Sequence, residues 1–391
     1  MTRLPDDAAE PPATARWAVG IAGFCALLNM YAPQAILPTL AASFHASPVG
    51  VGLTITATTL ATALCAPFAG AIADRVGRKR AIVVGLSALA VPTALSGFSA
   101  SLNELILTRF LQGLLMPAAF AASIGYIGEE WDRARVGRVT SFYISATVGG
   151  GFAGRFAGGL AADFADWHWT FFLLAAMNLA GAALVWRLLP EPRRFVRGGG
   201  LGQAIGAIIG HLRNRRLLSA YCVGFNVLFG LVTLFTYVNF HLAAPPYRLN
   251  AAELGLVFCV YLVGIGVTPV AGRWIDRIGQ RRTLLLSTLT AAIGGALTLL
   301  APLAAIIAGL AVFCCGTFVS QSVATSYVGI AAGSSRSSAA GLYLTFFYAG
   351  GAIGAWLPGY AWEHAGWAAC VGLAMAVQGV VAAIALLLWR D

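Results

Sequence analysis

The chain has 391 residues, of which 59% are hydrophobic and only 10% are charged, and its formal net charge is +10. Ordinary globular chains carry about 25% charged residues, so this composition excludes a soluble fold, a disordered chain and a disulfide scaffold. The solvent that suits such a chain is the lipid bilayer. Residues 1–16 form a polar tail without the basic start and apolar stretch of a cleavable signal peptide.

Apolar segments long enough to span a bilayer recur along the whole chain. A spanning helix needs about 20 mostly apolar residues, because every backbone polar group must be bonded internally in lipid. We predict such segments at 17–40, 49–71, 81–99, 104–127, 138–161, 168–189, 218–241, 251–272, 283–301, 304–328, 338–361 and 367–389. The predicted fold class is therefore an all-α membrane protein with twelve transmembrane helices and both termini on one side.

The Lys and Arg residues outside these segments lie almost entirely on one side of the predicted topology. They cluster in the N-terminal tail and in the loops 72–80, 128–137, 187–217 and 273–282, whereas the opposite loops contain only Arg248. Cytoplasmic loops carry an excess of Lys and Arg. The bias therefore predicts that both termini are cytoplasmic.

The longest loop, residues 190–217, divides the chain into two halves of six predicted helices, 17–189 and 218–391. It contains a flexible Gly run at 198–200, and residues 201–214 have apolar positions at helical spacing with Arg residues behind them. This pattern predicts a short amphipathic helix on the inner membrane surface.

The two halves repeat each other in sequence. A slide of 200 residues aligns Tyr143 with Tyr343, Gly150 with Gly350, Gly154 with Gly354, Gly159 with Gly359 and Trp167 with Trp367. A slide of 202 residues aligns the ends of the second and eighth helices, including Gly70 with Gly272 and Asp74 with Asp276. Two parallel repeats of six helices are typical of a two-lobed transporter with its site between the lobes.

The loop after the second predicted helix carries the most specific motif. Residues 70–80 read GAIADRVGRKR, which resembles the cytoplasmic loop signature of the major facilitator superfamily, and residues 272–282 resemble its second copy. The resemblance covers essentially the whole chain. It implies the two-lobed fold of that family in a bacterial inner membrane.

Two helices of the first half resemble a branch of that family. The fourth predicted helix contains Arg109, Gln112 and Gly113, similar to the pattern that proton-driven exporters place there. The fifth is Gly-rich over 149–159 like the exporter motif, but it has Arg155 where that motif has Pro. In these details the chain is most similar to the bacterial drug and arabinose-efflux-like exporters.

The repeated loop is predicted to be a cytoplasmic gate. Gly70 would let the second helix end close to a neighbour, and Gly77 would allow the turn into the third. Asp74 would face the positive N-terminus of the eleventh helix near Ser337, and Asp276 would face the fifth near Arg138. The predicted gate residues are Gly70, Asp74, Arg75, Gly77, Arg78, Gly272, Asp276, Arg277 and Gly279. The alternative is that the loop only anchors the helices and sets the topology.

Arg109 and Arg155 are charges inside predicted spans, where each costs at least about 2.5–3.5 kcal/mol to insert. No span carries a central Asp or Glu, and the nearest carboxylates, among them Glu104 and Asp163, lie at external helix ends. We predict that Arg109 with Gln112 serves coupling and that Arg155 forms an ion-pair gate with Asp163. The alternatives are snorkelling to the interface and attraction of an anionic substrate.

Uncharged polar residues cluster at mid-depth on the helices that line the cavity in this family. They are predicted to form a roomy substrate site that binds by shape and a few hydrogen bonds. These residues are Asn29, Gln34, Tyr143, Asn226, Tyr237, Gln321, Thr325 and Tyr343, with Ser320 beside them.

No P-loop, catalytic motif or metal-ligand spacing is present, and the seven Cys residues all lie in apolar runs. We therefore expect no cofactor, no metal and no enzymatic activity, and partners limited to a small-molecule substrate, protons and lipid, without nucleic acid. The chain is expected to be a monomer.

The leading functional hypothesis is export of a small organic molecule by alternating access against proton entry. Because the first helix has no acidic residue, the transported proton would bind Asp163, Asp166, Glu104 or His241. The alternatives are uptake or exchange of an organic anion through Arg109 and Arg155, and a multi-span membrane enzyme or sensor.

Overall fold

The computed structural model describes residues 11–193, 210–332 and 336–389, apart from the side chains of 71, 74, 133, 336 and 337. This part of the chain is helical and contains no β-strand. The helices are α1 (Ala13–Leu28), α2 (Leu37–Ser43), α3 (Pro48–Val76), α4 (Arg78–Ser96), α5 (Leu102–Glu130), α6 (Arg133–Phe164), α7 (Trp167–Leu188), α8 (Arg215–Ala243), α9 (Ala251–Val257), α10 (Val263–Ile278), α11 (Gln280–Leu297), α12 (Leu303–Ala331) and α13 (Arg336–Leu388).

Each of the predicted segments falls mainly on helical residues, but fewer helices are long and apolar enough to cross a membrane. Within the described ranges eight stretches meet this condition: Pro48–Gly70, Arg78–Ser96, Leu102–Glu130, Trp167–Leu188, Arg215–Ala243, Ala251–Ile278, Leu303–Ala331 and Ser338–Leu388. The bent pair α1 and α2 adds a ninth if it counts as one span. The last stretch contains a break at Ala365 and Gly366, where Gly366 has φ 62°.

The first predicted span is interrupted, which the sequence analysis did not foresee. α1 ends at Leu28, a 3₁₀ segment covers Ala32–Ile36, and α2 begins at Leu37 with a bend of 41° between the two α-helices. Pro33 and Pro38 supply no backbone N–H and disfavour helix in the residue before them. A second 3₁₀ segment, Phe258–Leu262, separates α9 from α10.

The sequence repeat is also a repeat of packing. A Cβ on Gly150 would lie 2.0 Å from the carbonyl oxygen of Phe24, and a Cβ on Gly350 would lie 2.0 Å from that of Phe225. α6 therefore packs against α1 as α13 packs against α8. In both pairs the absence of a side chain lets two backbones approach closely, the usual role of small residues between membrane helices.

The glycines of the repeated loop behave in two different ways. Gly77 and Gly279 have φ of +94° and +83°, so the predicted turns after α3 and α10 require glycine. Gly70 and Gly272, in contrast, have open space where a Cβ would point. The predicted close approach of Gly70 to a neighbouring helix is therefore wrong in this conformation, although Ala69 and Ala73 beside it are buried.

The amphipathic helix predicted at 201–214 lies mostly outside the described residues, of which 210–213 are helical.

Candidate functional site

The basic start of α4, directly after Gly77, pairs with acidic residues on its own half of the chain. Arg78 donates from Nη2 to Oε1 of Glu129 at 2.5 Å, and from Nε to both carboxylate oxygens. Nζ of Lys79 lies 3.4 Å from Oε1 of Glu191, just after α7. These pairs hold the start of α4 to the ends of α5 and α7, a function that the charge count alone does not reveal.

The partners predicted for the two loop aspartates are not seen. The side chain of Asp74 and the predicted contact near Ser337 lie outside the described part of the structure. Asp276 and Arg138 are both exposed, and no ion pair joins them where the chain is described. Arg75 and Arg277 are also exposed. The cytoplasmic gate therefore stays a prediction.

Arg109 is buried and fastens α5 to the break in the first span. Its Nη1 donates to the carbonyl oxygen of Asn29 at 2.9 Å and its Nη2 to that of Met30 at 2.5 Å. Nη1 also donates to Oε1 of Gln112, whose Nε2 donates to Ser96 at 3.1 Å. The last carbonyls of a helix are unsatisfied and partly negative. The guanidinium therefore satisfies the end of α1 and is compensated by it.

Arg155 is also buried, at 2% exposure, but its surroundings are aromatic. Nε donates to Oε1 of Gln34 at 2.8 Å, and Nη1 donates to the carbonyl oxygen of Gly151 at 2.7 Å. The carbon of the guanidinium lies 4.9 Å from the ring centroid of Tyr31, 4.6 Å from that of Phe258 and 4.8 Å from that of Tyr261. Cation–π attraction is strongest in such desolvated sites, so these rings replace part of the hydration that the charge loses.

Gln34 connects this arginine to the second half of the chain. Its oxygen accepts from Arg155, and its Nε2 donates to Oγ1 of Thr236 on α8 at 3.0 Å. Gln34 and Thr236 are 202 residues apart, the same slide that aligns the two loop motifs. Equivalent positions of the two repeats therefore meet, and Arg155, Gln34 and Thr236 form a hydrogen-bonded chain across the halves.

Asp163 joins the same two halves by capping a helix. Its carboxylate accepts from the backbone N–H groups of Ala251 at 3.1 Å and Ala252 at 2.9 Å, the first residues of α9. Asn250 and Glu253 satisfy each other's N–H groups in a capping box. All four free N–H groups at this helix start are thus bonded, two of them by a residue of the other half.

The predicted ion pair between Arg155 and Asp163 is wrong in this conformation. Asp163 is engaged with α9, and Arg155 has carbonyl, amide and aromatic partners but no carboxylate among the described residues. Glu104, the other carboxylate considered, accepts from the backbone N–H of Ala100 at the start of α5. Both acids lie closer to the N–H groups at a helix start than to either arginine, and they bond those groups instead.

Most residues predicted to line the cavity are enclosed in this conformation. Gln321 is half-buried and Thr325 is exposed, whereas the others are buried. Tyr237 donates to the carbonyl oxygen of Ala355 at 2.7 Å, beside α3. Ser320 contacts Ser287 at 2.8 Å. The buried residues are Asn29, Gln34, Tyr143, Asn226, Tyr237 and Tyr343.

Several of these buried polar atoms have no partner. Both amide atoms of Asn29 and the hydroxyl of Tyr31 make no hydrogen bond in the described structure. Sequence reasoning missed Tyr31, Thr236, Phe258 and Tyr261 as site residues. Thr236 could have been found from the repeat, but the three rings look like ordinary apolar residues of a span.

The comparisons assign the family. The model of the Major Facilitator Superfamily matches residues 19–245 and 240–391, so the chain belongs to this superfamily of membrane transporters. It is 32% identical over 353 residues to the uncharacterized MFS-type transporter YybF of Bacillus subtilis, covering 90% of this chain and 87% of that protein. The hypothesis of a membrane enzyme or sensor is therefore set aside.

A second relative and a solved structure agree with this assignment. The chain is 31% identical over 368 residues to the inner membrane transport protein YnfM of Escherichia coli, covering 94% of this chain and 86% of that protein. The crystal structure of a bacterial homologue of the human lysosomal transporter Spinster, in an inward-facing occupied conformation, matches with TM-score 0.77 and 15% identity over 95% of both chains. The latter similarity concerns the fold alone.

Proposed function

We propose that this protein is a twelve-span secondary transporter that exports a small organic molecule from the bacterial cytoplasm by alternating access, with proton entry as the driving force. The chain forms two six-helix lobes, residues 17–189 and 218–391, joined by the 190–217 linker, and both termini lie in the cytoplasm. The substrate site lies between the lobes near mid-membrane.

The observation that carries this proposal is the uneven contact between the two halves. At the end predicted to be external, Asp163 caps α9, and a Cβ on Gly159 would lie 2.2 Å from the carbonyl oxygen of Ala251. At the opposite end, Gly70 and Gly272 have no non-local heavy atom within 4 Å of a Cβ position. A closed external end is what the inward-facing state of an alternating-access cycle requires. We assign this conformation to the inward-facing state.

Export with proton entry is proposed from the arrangement around Arg109. This residue, with Gln112, matches the exporter pattern, and its contacts tie α5 to the break between α1 and α2. A change in protonation or hydration near this contact would move the broken span, which also carries Gln34 of the cross-half chain. Arg109 thus couples the centre of the first half to the external closure.

Transport by purified protein in liposomes tests the proposal. A panel of drugs, sugars and organic acids is offered under an imposed pH gradient, and the charge moved per substrate is counted. We expect accumulation on the acidic side, its collapse when a protonophore dissipates the gradient, and its loss in Arg109→Gln. Exposed Arg187→Gln removes the same charge from the end of α7 and serves as the control.

Accumulation that ignores the protonophore would contradict proton coupling, and accumulation on the alkaline side would contradict export. The alternative function is uptake or exchange of an organic anion, which the lack of a carboxylate beside Arg155 among the described residues favours. Charge counting separates the two, because uptake of an anion and export against protons move charge of opposite sign.

A further inference from the structure

The break in the first span holds polar groups without partners. Both amide atoms of Asn29 and the hydroxyl of Tyr31 are buried and make no hydrogen bond with the rest of the described chain. Leaving such a group unsatisfied costs about 1–3 kcal/mol, so each one requires an explanation such as an absent water or ligand.

The break lies beside Arg155 and beside a partly accessible aromatic ring. The guanidinium carbon of Arg155 lies 4.9 Å from the ring centroid of Tyr31 and 4.8 Å from that of Tyr261. Tyr261 is half-buried, whereas Arg155, which its ring covers, is buried. The rings of Tyr31 and Tyr261 therefore cover the guanidinium, and Tyr261 is the more accessible of the two.

The charge of Arg155 is only partly compensated. Its Nε and Nη1 groups are bonded to an amide and a carbonyl, and its Nη2 group donates no hydrogen bond to the described residues. Cation–π contacts contribute about 2 kcal/mol when desolvated, against a desolvation penalty of several kcal/mol for a buried ion. Arg109 does not share this deficit, because the end of α1 compensates it.

We propose that this site binds a small organic anion with an apolar or aromatic body, an inference that rests on the proposed transport function and names its substrate class. The carboxylate takes the free Nη2 group of Arg155 and the hydroxyl of Tyr31, which together supply charge-assisted hydrogen bonds. The body lies against the rings of Phe258 and Tyr261. A cationic substrate is disfavoured, because Arg109 and Arg155 are both positive and the described spans hold no central carboxylate.

Three probes with the same ring and different charge test the substrate class: benzoate, benzamide and benzyltrimethylammonium. The melting temperature of the purified full-length protein is measured with each probe. A ligand that binds the native state raises its stability, so benzoate at several times its Kd is expected to raise the melting temperature by about 2 °C. The neutral amide and the cation are expected to leave it unchanged.

Two variants locate the binding. Arg155→Gln is expected to weaken benzoate binding by about tenfold or more, as loss of a hydrogen bond to a charged group does. Tyr31→Phe removes only a hydroxyl without a partner in the described structure, so it is expected to fold normally and still bind benzoate several-fold more weakly. Arg187→Gln, an exposed change of the same charge, is the matched control and should bind like the unmodified protein.

Any of three results would overturn the inference. They are an equal or larger shift of the melting temperature with benzamide or the cation, no shift with benzoate, and unchanged benzoate binding in both variants. Binding is measured without transport, so the two proposals fail separately. If benzoate does not bind but liposomes still transport a neutral compound against protons, only the anion assignment falls. If benzoate binds through Arg155 but no compound is transported, only the transport proposal falls.

Discussion

Replacing Asp163 with Asn tests whether the capping contact between the halves closes the external end. The carboxylate accepts from the N–H groups of Ala251 and Ala252 at 3.1 and 2.9 Å. An asparagine side chain has one acceptor oxygen, so one N–H group would keep its bond and the other would face an NH₂ group. The change keeps the shape of the side chain and leaves the membrane-buried residues untouched.

The expected size of this effect follows from the hydrogen bond and the negative charge that the substitution removes. A hydrogen bond to a charged group contributes about 1.5–3 kcal/mol, and a carboxylate at a helix N-terminus adds about 0.3–1 kcal/mol. Asp163 is exposed, so solvent screening reduces both contributions. A net loss of about 1 kcal/mol remains, which shifts the equilibrium between closed and open external ends about fivefold towards opening.

Hydrogen exchange measures this equilibrium directly, because amides of a locally opened segment exchange at a rate set by the opening. We expect the peptide covering 251–257 to exchange about fivefold faster in Asp163→Asn. The control is Asp166→Asn, which removes a carboxylate that caps the start of α7 within its own half. Unchanged exchange at 251–257, or an equal change in the control, would refute the assignment of the contact as a gate.

The remaining predictions concern packing, the first-span break and the loop motifs. A Cβ on Gly154 would lie 1.8 Å from a backbone oxygen of α1. Gly154→Ala is therefore expected to lower the free energy of unfolding, measured by thermal melts, by about 1–3 kcal/mol. The control Gly149→Ala, with open space at its Cβ, should leave it unchanged. Arg109→Lys keeps the charge but loses the planar guanidinium that bonds two carbonyls, so transport in liposomes should fall at least tenfold. Near-normal transport would mean that only the positive charge of this residue matters. Asp74→Asn should nearly abolish transport without preventing insertion, and Asp276→Asn should reduce transport less; the reverse order would mean that the second copy is the dominant gate.

The positions of the helices could be read from the sequence because apolar runs of spanning length have few alternatives in lipid. The turns at Gly77 and Gly279 were equally predictable from the sequence, since a loop this short between helices requires a residue with positive φ. The interruption after Leu28 was not predicted. The local signals there were the polar residues Asn29 and Gln34 and the prolines Pro33 and Pro38.

The candidate site was only partly predictable. Arg109 and Arg155 stood out because a charge inside a span is expensive, and the structure places both in buried, hydrogen-bonded positions. Their partners could not be read from the sequence, since carbonyl oxygens and aromatic faces carry no pattern that separates a site from a core. Arg155 was predicted to pair with Asp163 because a carboxylate is the usual partner of an arginine. In the structure the backbone N–H groups at the start of α9 bond this carboxylate instead.

The sequence by itself determined the membrane as solvent, the helical class, the internal repeat and the family, because each depends on composition, periodicity or a motif within one stretch of chain. Only the tertiary structure decided which groups compensate the buried charges and which contacts join the halves. Arg155, Gln34 and Thr236 meet from three distant parts of the chain. Hydrogen bonds and cation–π contacts act over a few ångströms, so their partners are set by how the helices pack and not by the order of residues.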